Sequence, residues 1–340
     1  MAALSAGVAE LSRSYNQHQR APALTPAVHG ARLGFFFPRD VPKSAAAIQE
    51  LLEHLPDRPL RILDLGCGLG ATSVGVILAL RERGRRHPID VLAIDMDPTA
   101  LALIPPLFAH LPHCTVRTST GDATTANEPG PWDLILLGQV LCEVDPWILG
   151  DERSKRLATW IRSLDQTLAP DGSLVIVEPA LKTPTRQLHA LRDELVHQEL
   201  IPFAPCLHRN ACPMLQRDND WCHEHRPIDL PTWLEPIARA AGLRWEGLTF
   251  SYLILRKDRA TRTGRVRVVS EPLVSKGRLD FIFCGQFPSG GDAKKIGRLD
   301  RHRSPENAHW DTLRRGDVLA IELDSQRIDP QMCIPAPISR

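Results

Sequence analysis

The chain has 340 residues, enough for about two domains, and its 43% of hydrophobic residues predicts a buried core. Eight cysteines are too few for a disulfide scaffold, and we find no apolar run of about 18 residues that would indicate a membrane protein. The opening stretch, MAALSAGVAELSRSYNQHQR, lacks the basic-then-apolar order of a secretory signal. We therefore expect reduced thiols and a cytoplasmic location, with the mitochondrial matrix as the alternative.

The charge of the chain is unevenly distributed. The net charge is only +1, yet residues 256–315 carry 15 Lys and Arg against 7 Asp and Glu. A basic segment on a near-neutral protein indicates a surface that binds a polyanion, and a merely solvated basic surface is the alternative. The candidate contacts with RNA phosphates are the basic residues at the start of this segment: Arg256, Lys257, Arg259, Arg262, Arg265 and Arg267.

The elements in chain order predict an α/β fold. A helical region over residues 1–55 precedes the strand-like segments RILDLGCGLG, DVLAIDMDP, CTVRTSTGDA, WDLILLGQVL and GSLVIVEPA, and helical segments such as ATSVGVILALRERG alternate with them. Strands that alternate with helices of about a dozen residues indicate a parallel sheet. RWEGLTFSYLILRK adds the last strand or strands of this sheet domain, which spans 56–257 and carries an insertion at 181–228. A basic β extension over 258–320 and a tail over 321–340 complete the predicted organisation.

A glycine-rich turn stands between the first predicted strand and the helix after it. Its D-x-G-x-G-x-G spacing is formed by Asp64, Gly66, Gly68 and Gly70. Glycines allow a tight turn and let a ligand approach the backbone amides closely. Asp95 ends the second strand, where a carboxylate can accept both ribose hydroxyls. Asp122, with Ala123 beside it, follows the third strand, where an adenine amine can be recognised. An α/β domain that has this turn but binds no ligand is the alternative.

This region resembles the AdoMet-dependent methyltransferases of the Rossmann-like class I. A dinucleotide dehydrogenase usually reads G-x-G-x-x-G, and Ala71 occupies the position of its third glycine. Asp64 also favours AdoMet, because its carboxylate can bind the methionine ammonium group. Gln139, after the fourth strand, is a candidate contact to AdoMet or to the methyl acceptor.

The methyl acceptor is not indicated by the sequence. Enzymes that methylate an exocyclic base amine commonly carry Asn/Asp-Pro-Pro-Tyr/Phe after the fourth strand, and the equivalent stretch here is LGQVLCEV. Cys142 lacks the Pro-Cys context of a pyrimidine nucleophile, so a packed residue under the sheet is the favoured interpretation. Glu143 and Glu178 are acids near the ends of the fourth and fifth strands. We assign no catalytic residue.

Three cysteines fall within one polar stretch of the insertion, PCLHRNACPMLQRDNDWC. Cys206, Cys212 and Cys222 have C-x5-C-x9-C spacing, which is wider than the C-x2–4-C pairs of most structural zinc sites. Wide gaps suit a bulkier guest, because an iron–sulfur cube separates its ligand sulfurs more than one zinc ion does. Such a cube needs four ligands, usually thiolates.

The fourth ligand has to come from another part of the chain. Cys67 lies in the glycine turn, Cys114 begins a strand and Cys333 is near the terminus. Cys284 ends a predicted strand of the β extension and precedes a glycine, which is a good place to present a thiolate. The predicted metal ligands are therefore Cys206, Cys212, Cys222 and Cys284. The alternative ligands, with which a zinc site could be built, are His208, His223 and His225.

The stretches PCLHRNACPM, DWCH, FSYLIL, RVRVVSEPLVSKGRL and FCG resemble the methyltransferase-like family that assembles the small ribosomal subunit in mitochondria and bacteria. The resemblance covers about residues 55–316 and departs after Cys284, where GQFPSGGDAKK replaces a shorter acidic turn. It implies an AdoMet-type fold with a C-terminal β extension and a [4Fe–4S] cluster on the four cysteines named above. It also implies binding to small-subunit rRNA and its precursor particles.

Three functions are therefore open. The first is an assembly factor of the small ribosomal subunit that binds rRNA, AdoMet and an iron–sulfur cluster, the cluster fixing the basic surface. The second is an active AdoMet-dependent rRNA methyltransferase, so whether the chain is an enzyme stays open. The third and weaker one is a small-molecule methyltransferase with a structural zinc site. No membrane partner is expected, and the oligomeric state is not indicated.

Overall fold

The fold was analysed in a computed structural model of the chain. The structure describes residues 2–16, 25–148, 150–228, 230–243, 245, 247–262, 264–288, 292–321 and 325–338. Residues 244 and 246, at the start of the last predicted strand of the sheet domain, lie outside the described residues.

A helix follows the glycine-rich turn as predicted, and further helices occur along the described chain, including one in the insertion. The helices are α1 (Ala2–Asn16), α2 (Pro26–Ala31), α3 (Phe37–Ile48), α4 (Ala71–Glu82), α5 (Pro98–Phe108), α6 (Gly150–Gln166), α7 (Lys182–His197) and α8 (Leu234–Ala240). A π-helical turn, Arg32–Phe36, joins α2 to α3, and short 3-10 turns cover Gln49–His54, Pro213–Gln216, Asp300–His302 and Pro305–Thr312. Among the described helices, none has both the length and the apolar character needed to cross a bilayer.

The strands form two sheets. Those of the large sheet are β1 (Leu60–Leu65), β2 (Ile89–Asp95), β3 (Cys114–Thr120), β4 (Trp132–Gly138), β5 (Leu168–Pro179), β6 (Pro202–Ala204), β7 (Glu224–Arg226) and β8 (Leu248–Arg256). Those of the small sheet are β9 (Val266–Val268), β10 (Leu273–Ser275), β11 (Arg278–Gly285), β12 (Ala293–Leu299), β13 (Val318–Leu319) and β14 (Arg327–Ile328).

The large sheet has the order β3-β2-β1-β4-β5-β8-β6, and β7 also pairs with β8. Strands β1 to β5 are parallel to their neighbours, whereas β8 runs antiparallel to β5. The chain passes from β1 outward to β3 and then back to β4, so the order reverses at the β1–β4 boundary, where such sheets bind ligands. The predicted Rossmann-like class I fold is confirmed.

Apolar residues cover both faces of the large sheet. In β1, Ile62 points into the core packed under α3, α4 and α5, whereas Leu63 points into the core packed under α6 and α7. Side chains alternate between faces along a strand, so a strand buried on both sides reads as a continuous apolar run. The small sheet has its own core around Phe281, Phe283 and Trp310.

Helices α3 and α4 pack unusually closely at Gly75. A Cβ on this residue would lie 2.2 Å from the carbonyl oxygen of Val41 and 3.0 Å from the amide nitrogen of Ala45. We expect Gly75→Ala to lower the free energy of unfolding by about 1–3 kcal/mol, the usual cost of overpacking, in urea titrations. Gly30→Ala is the control, because no heavy atom lies within 4 Å of its Cβ position and alanine favours helix. Equal stability of the two variants would contradict this account.

Candidate functional site

The glycine-rich turn joins β1 to α4 at the carboxyl edge of the parallel strands. Gly66, Gly68 and Gly70 have φ values of +65°, +53° and +77°, which residues with a Cβ rarely adopt. The amide of Gly68 donates to Asp95 Oδ2 at 2.7 Å, and this bond ties the turn to the end of β2. Because open α/β sheets bind ligands at this edge, the turn and Asp95 form one wall of a candidate cofactor site.

Asp64, in β1 just before the turn, is completely buried. Ser73 Oγ donates to its Oδ2 at 2.6 Å, whereas its Oδ1 is buried and accepts no hydrogen bond. Burial raises the pKa of Asp64 to about 7, because the carboxylate loses its hydration and Ser73 compensates only in part. A buried oxygen without a donor fits a ligand that brings one, such as an ammonium group.

The residues predicted to contact ribose and adenine lie at the same edge. Asp95 Oδ1 accepts the amide of Asp97 at 2.9 Å, so each of its oxygens already holds one backbone amide. Asp122 is exposed, and its Oδ1 accepts from the amide of Thr124 at 2.8 Å. Ala123 beside it is buried. The carboxylates are thus oriented by backbone amides before any ligand arrives.

The loop after β4 is held by a buried acid. Glu178 accepts the amides of Leu141 and Cys142 at 2.9 Å and 3.1 Å, one on each oxygen. Burial raises the pKa of Glu178 to about 7 and that of the Cys142 thiol well above its ordinary value. Gln139, which begins this loop, has a φ of +61°, and its amide donates to the carbonyl of Val177 at 2.7 Å. Glu178 is therefore a support for the loop, and a neutral Cys142 thiol fits the packing role.

The N-terminal helical region contacts the carboxyl edge of the parallel strands, which carries the candidate cofactor site and is called the cofactor edge below. His29 Nε2 lies 2.7 Å from Asp97 Oδ2, and Arg32 Nη1 lies 3.6 Å from the same oxygen. These contacts join α2 and the π-helical turn to the start of α5, two residues after Asp95. Sequence analysis missed them, because no local spacing in residues 1–55 indicates a partner in α5.

The four candidate thiols line a single cavity. Cys206, Cys212 and Cys222 come from the insertion and Cys284 comes from β11, and the cavity volume is about 60 Å³. All four are free thiols. Burial and then the neighbouring thiols raise the pKa of Cys222 to about 12 and raise that of Cys284 well above its usual value. Such thiols stay neutral unless a metal replaces their protons.

The geometry of the thiol cavity differs from that of a one-ion site. Within the described ranges, no group of three or more His, Cys, Asp or Glu side chains could hold a metal ion. Of the alternative ligands, His208 has Nε2 3.4 Å from Cys284 Sγ, and His223 lines the cavity. His225 instead pairs with Glu271 at 3.2 Å. The compact tetrahedron that zinc prefers is therefore not formed by these residues.

Helix α7 supports the loop that carries the first three thiols. Arg192 donates to the carbonyls of His208 and Asn210, and Asp193 accepts the amide of Cys212 at 2.9 Å. Arg186 donates to three further loop carbonyls, those of Met214, Arg217 and Asp220. Sequence analysis missed this support, although RQLHALRD places its polar residues at helical spacing and could have indicated one polar helix face.

A buried ion pair joins three parts of the chain. Arg267, from β9, donates to Glu50 Oε2 at 2.6 Å, to the carbonyl of Pro205 at 2.8 Å and to the carbonyl of Gly316 at 2.9 Å. Tyr252 also donates to Glu50. Burial disfavours the charged form of Glu50, but the arginines beside it outweigh burial and lower its pKa to about 2. We call Glu50, Tyr252, Arg262 and Arg267 the Glu50 cluster.

The prediction that residues 256–267 form an RNA-binding surface is wrong for most of its members. Arg256 and Arg267 are buried, and Arg262 donates to Glu50. Lys257 and Arg259 both bind Asp165, at 3.3 Å and 2.8 Å. Of the six residues, Arg265 is partly exposed, and none of the described residues forms an ion pair with it. Five of the six residues are thus paired with acids of the chain, namely Asp258, Asp165 and Glu50.

Comparison with known proteins identifies a family for most of the chain. The family model described as "Mitochondrial small ribosomal subunit Rsm22" matches residues 40–291. The release factor glutamine methyltransferase of Escherichia coli is 34% identical over 70 residues, which are 21% of this chain and 23% of that protein. The chain therefore matches less than a quarter of this curated relative.

Solved methyltransferase structures are similar to the chain at low sequence identity. Precorrin-6y C5,15-methyltransferase from Geobacter metallireducens is 14% identical over 60% of this chain and 83% of that chain, with a TM-score of 0.34. For a SAM-dependent O-methyltransferase from Thermotoga maritima the identity is 17%, the coverage 63% and 64%, and the TM-score 0.35. N-methyltransferase NodS from Bradyrhizobium japonicum is 15% identical over 65% and 96%, with a TM-score of 0.37.

The family match covers well over half of the chain and includes the glycine-rich turn, the insertion with its three thiols and Cys284. It agrees with the resemblance carried by the cysteine-bearing stretches. The chain therefore belongs to the Rsm22 family, whose description names the mitochondrial small ribosomal subunit.

Proposed function

We propose that this protein is an assembly factor of the small ribosomal subunit that holds AdoMet at the glycine-rich turn and a [4Fe–4S] cluster in the thiol cavity. Membership of the Rsm22 family supports the ribosomal partner, and its description favours the mitochondrial matrix over the cytoplasm. The observation that carries the cluster assignment is the convergence of Cys284 with Cys206, Cys212 and Cys222 on one cavity.

The thiol cavity fits a multi-atom guest better than a single ion. Its volume of about 60 Å³ is several times the roughly 10–15 Å³ that one water needs. Arg192 and Arg267 are buried and line the cavity, so they can compensate the negative charge of a cube held by four thiolates. When bound, a cluster would supply metal–thiolate bonds that link the insertion to the β extension.

The cofactor edge fits AdoMet through its acids and amides. Asp64 offers an unpartnered buried oxygen for an ammonium group, and Asp95 offers a carboxylate fixed by two amides. When bound, AdoMet would supply an electrophilic methyl group. What the chain itself contributes is the holding and orientation of the ligand by the turn between β1 and α4.

The proposal is tested on anaerobically purified protein. We expect iron and acid-labile sulfide close to four each per chain, AdoMet binding by isothermal titration, and co-sedimentation with small-subunit particles. A colourless protein with one zinc ion per chain would replace the cluster assignment with the zinc alternative. Failure to sediment with small subunits would contradict the ribosomal role.

Methyl transfer to rRNA is the second candidate. It requires AdoMet to bind, and the unpartnered Asp64 oxygen supports that binding. Against it, both oxygens of the buried acid Glu178 are taken by backbone amides, so this acid is not a ready proton acceptor. Tritiated AdoMet incubated with small-subunit particles separates the two functions. Label in RNA would favour the enzyme, and AdoMet binding without label would favour the assembly factor.

The buried carboxyl of Asp64 predicts a pH-dependent affinity for AdoMet. With its pKa raised to about 7, Asp64 is protonated below that pH, and binding an ammonium group there requires release of the proton. We expect the affinity to rise by up to about tenfold per pH unit as pH approaches 7 and then to level off. Titration calorimetry in buffers of different ionisation enthalpy measures the released proton.

Asp64→Asn is the control for this pH dependence. The amide can still accept from Ser73 but cannot ionise, so AdoMet should bind weakly and with little dependence on pH. Wild-type affinity that stays constant on both sides of pH 7 would show that Asp64 does not meet the ammonium group.

A further inference from the structure

A second cavity shares no lining residue with the thiol cavity. Its volume is about 540 Å³, and it opens between the π-helical turn with the start of α3 on one side and α8 with its flanking segments on the other. The residues that matter for its chemistry are Phe35, Arg39, Leu230, Glu235 and Trp245. A cavity of this volume falls in the range that accommodates small organic ligands.

Arg39 is a half-buried cation for which the described residues of this cavity provide no anionic partner. Its Nε is buried and makes no hydrogen bond, and its guanidinium stacks 4.9 Å from the ring centre of Phe35. The adjacent Asp40 is engaged by Lys43 at 2.7 Å. Burial lowers the pKa of Arg39, which shows that its surroundings disfavour the charge. A partly buried charge is stabilised by a partner, and none of the described acids pairs with Arg39, so a bound anion can take that place.

Trp245, on the opposite wall, stacks with an arginine that does not itself line the cavity. Arg239 lies 4.1 Å from the ring centre of Trp245 and pairs with Glu235 at 2.7 Å. Glu235, the acid among the described lining residues, is therefore already neutralised and does not compete with a bound anion for Arg39. Unpaired bases stack on aromatic side chains, and Trp245 offers such a side chain on this wall.

We propose that this cavity binds one unpaired nucleotide, with its phosphate on Arg39 and its base or ribose against the wall formed by Leu230 and Trp245. A phosphodiester carries one negative charge, which matches one guanidinium, and the cavity is much larger than a phosphate alone. The choice of an RNA chain over a free nucleotide rests on the proposed association with the small ribosomal subunit. The site adds a contact that involves none of the residues of the basic β extension.

The test compares Arg39→Ala with the intact full-length protein. A short fluorescent single-stranded oligoribonucleotide and adenosine and uridine monophosphates are the probes, read by anisotropy and competition. We expect Arg39→Ala to weaken oligoribonucleotide binding about tenfold or more, since a charge-assisted hydrogen bond is lost. The slope of log affinity against log salt should fall in magnitude by about 0.7, as for one phosphate contact on a single strand.

Two controls separate this contact from general effects. Arg39→Lys keeps the charge without the planar fork and should retain part of the affinity. Arg117→Ala removes an exposed arginine of β3 that does not line the cavity, and it should leave binding nearly unchanged. Ultraviolet cross-linking of the wild type adds an independent readout, because the RNA should attach to peptides that contain Arg39 or Trp245.

The outcomes distinguish this inference from the proposed function. Equal oligoribonucleotide binding by Arg39→Ala and wild type, with small-subunit co-sedimentation intact, would overturn the nucleotide site alone. If the protein binds the mononucleotides but not the oligoribonucleotide, the assignment of an RNA chain as the ligand is overturned. A wild type that binds neither RNA nor small subunits would overturn both the site and the ribosomal role.

Discussion

Replacing Arg267 with alanine is expected to lower the free energy of unfolding by about 3–5 kcal/mol, the usual effect of removing one partner from a buried ion pair. The variant leaves the Glu50 carboxylate buried with less compensation, and it removes the donor to the carbonyls of Pro205 and Gly316. Because Pro205 precedes Cys206, the loss should also loosen the thiol cavity. Urea unfolding of the metal-free protein measures the first effect, and iron retention measures the second.

Arg265→Ala is the matched control, since this arginine lies two residues away and is partly exposed. We expect a change within about 0.5 kcal/mol, as for most surface substitutions. If Arg267→Ala and Arg265→Ala lower the free energy of unfolding by similar amounts, the Glu50 cluster does not stabilise the protein as its burial indicates.

The Glu50 cluster also predicts how stability depends on acid. The pKa of Glu50 is about 2 in the folded protein and near 4.5 in the unfolded chain, so the unfolded state binds more protons between these two pH values. The stabilisation is complete above about pH 4.5 and is lost as pH falls toward 2. Arg267→Ala should flatten this part of the stability profile.

The second large effect is expected for Cys284→Ala. Removing the ligand from β11 leaves three thiols, and a cube needs four, so most of the iron, the sulfide and the brown colour should be lost on anaerobic purification. Metal–thiolate bonds contribute to folding, and the insertion should become more susceptible to proteolysis because its link to the small sheet is gone.

Cys333→Ala is the control for Cys284→Ala, because Cys333 is exposed and does not line the thiol cavity. It should keep full iron and sulfide. Full iron in Cys284→Ala would show that another donor completes the site, and His208, with Nε2 3.4 Å from Cys284 Sγ, would be the first residue to examine.

The sheet domain could be predicted from the sequence because its signals are local. Apolar runs, the glycine spacing and the acid of Asp95 each lie within a few residues of the element that they mark. The convergence of Cys284 with the insertion is a long-range feature, and its prediction came from comparing the remaining cysteines and from the resemblance of the cysteine-bearing stretches to a family.

The RNA-binding role of the basic residues in 256–267 was predicted wrongly because ion pairs depend on contacts that are distant in sequence. Charge is visible in the sequence, but the partner of a charge is not, and Glu50 precedes Arg267 by 217 positions. The unpaired state of Arg39 was hidden in the same way, because residues 1–55 look like an ordinary helical connection until α8 is folded against them.

The position of β8 in the large sheet has a consequence for biosynthesis. Strand β6, which leads into the loop with Cys206, has β8 as its partner in the sheet, and β8 is translated well after that loop. A growing chain therefore leaves the ribosome with β6 unpaired, and the remaining thiol follows later still in β11. Completion of the cluster should accordingly wait until β11 has been synthesised, and stalled or truncated chains that end before β11 should lack the iron–sulfur cluster.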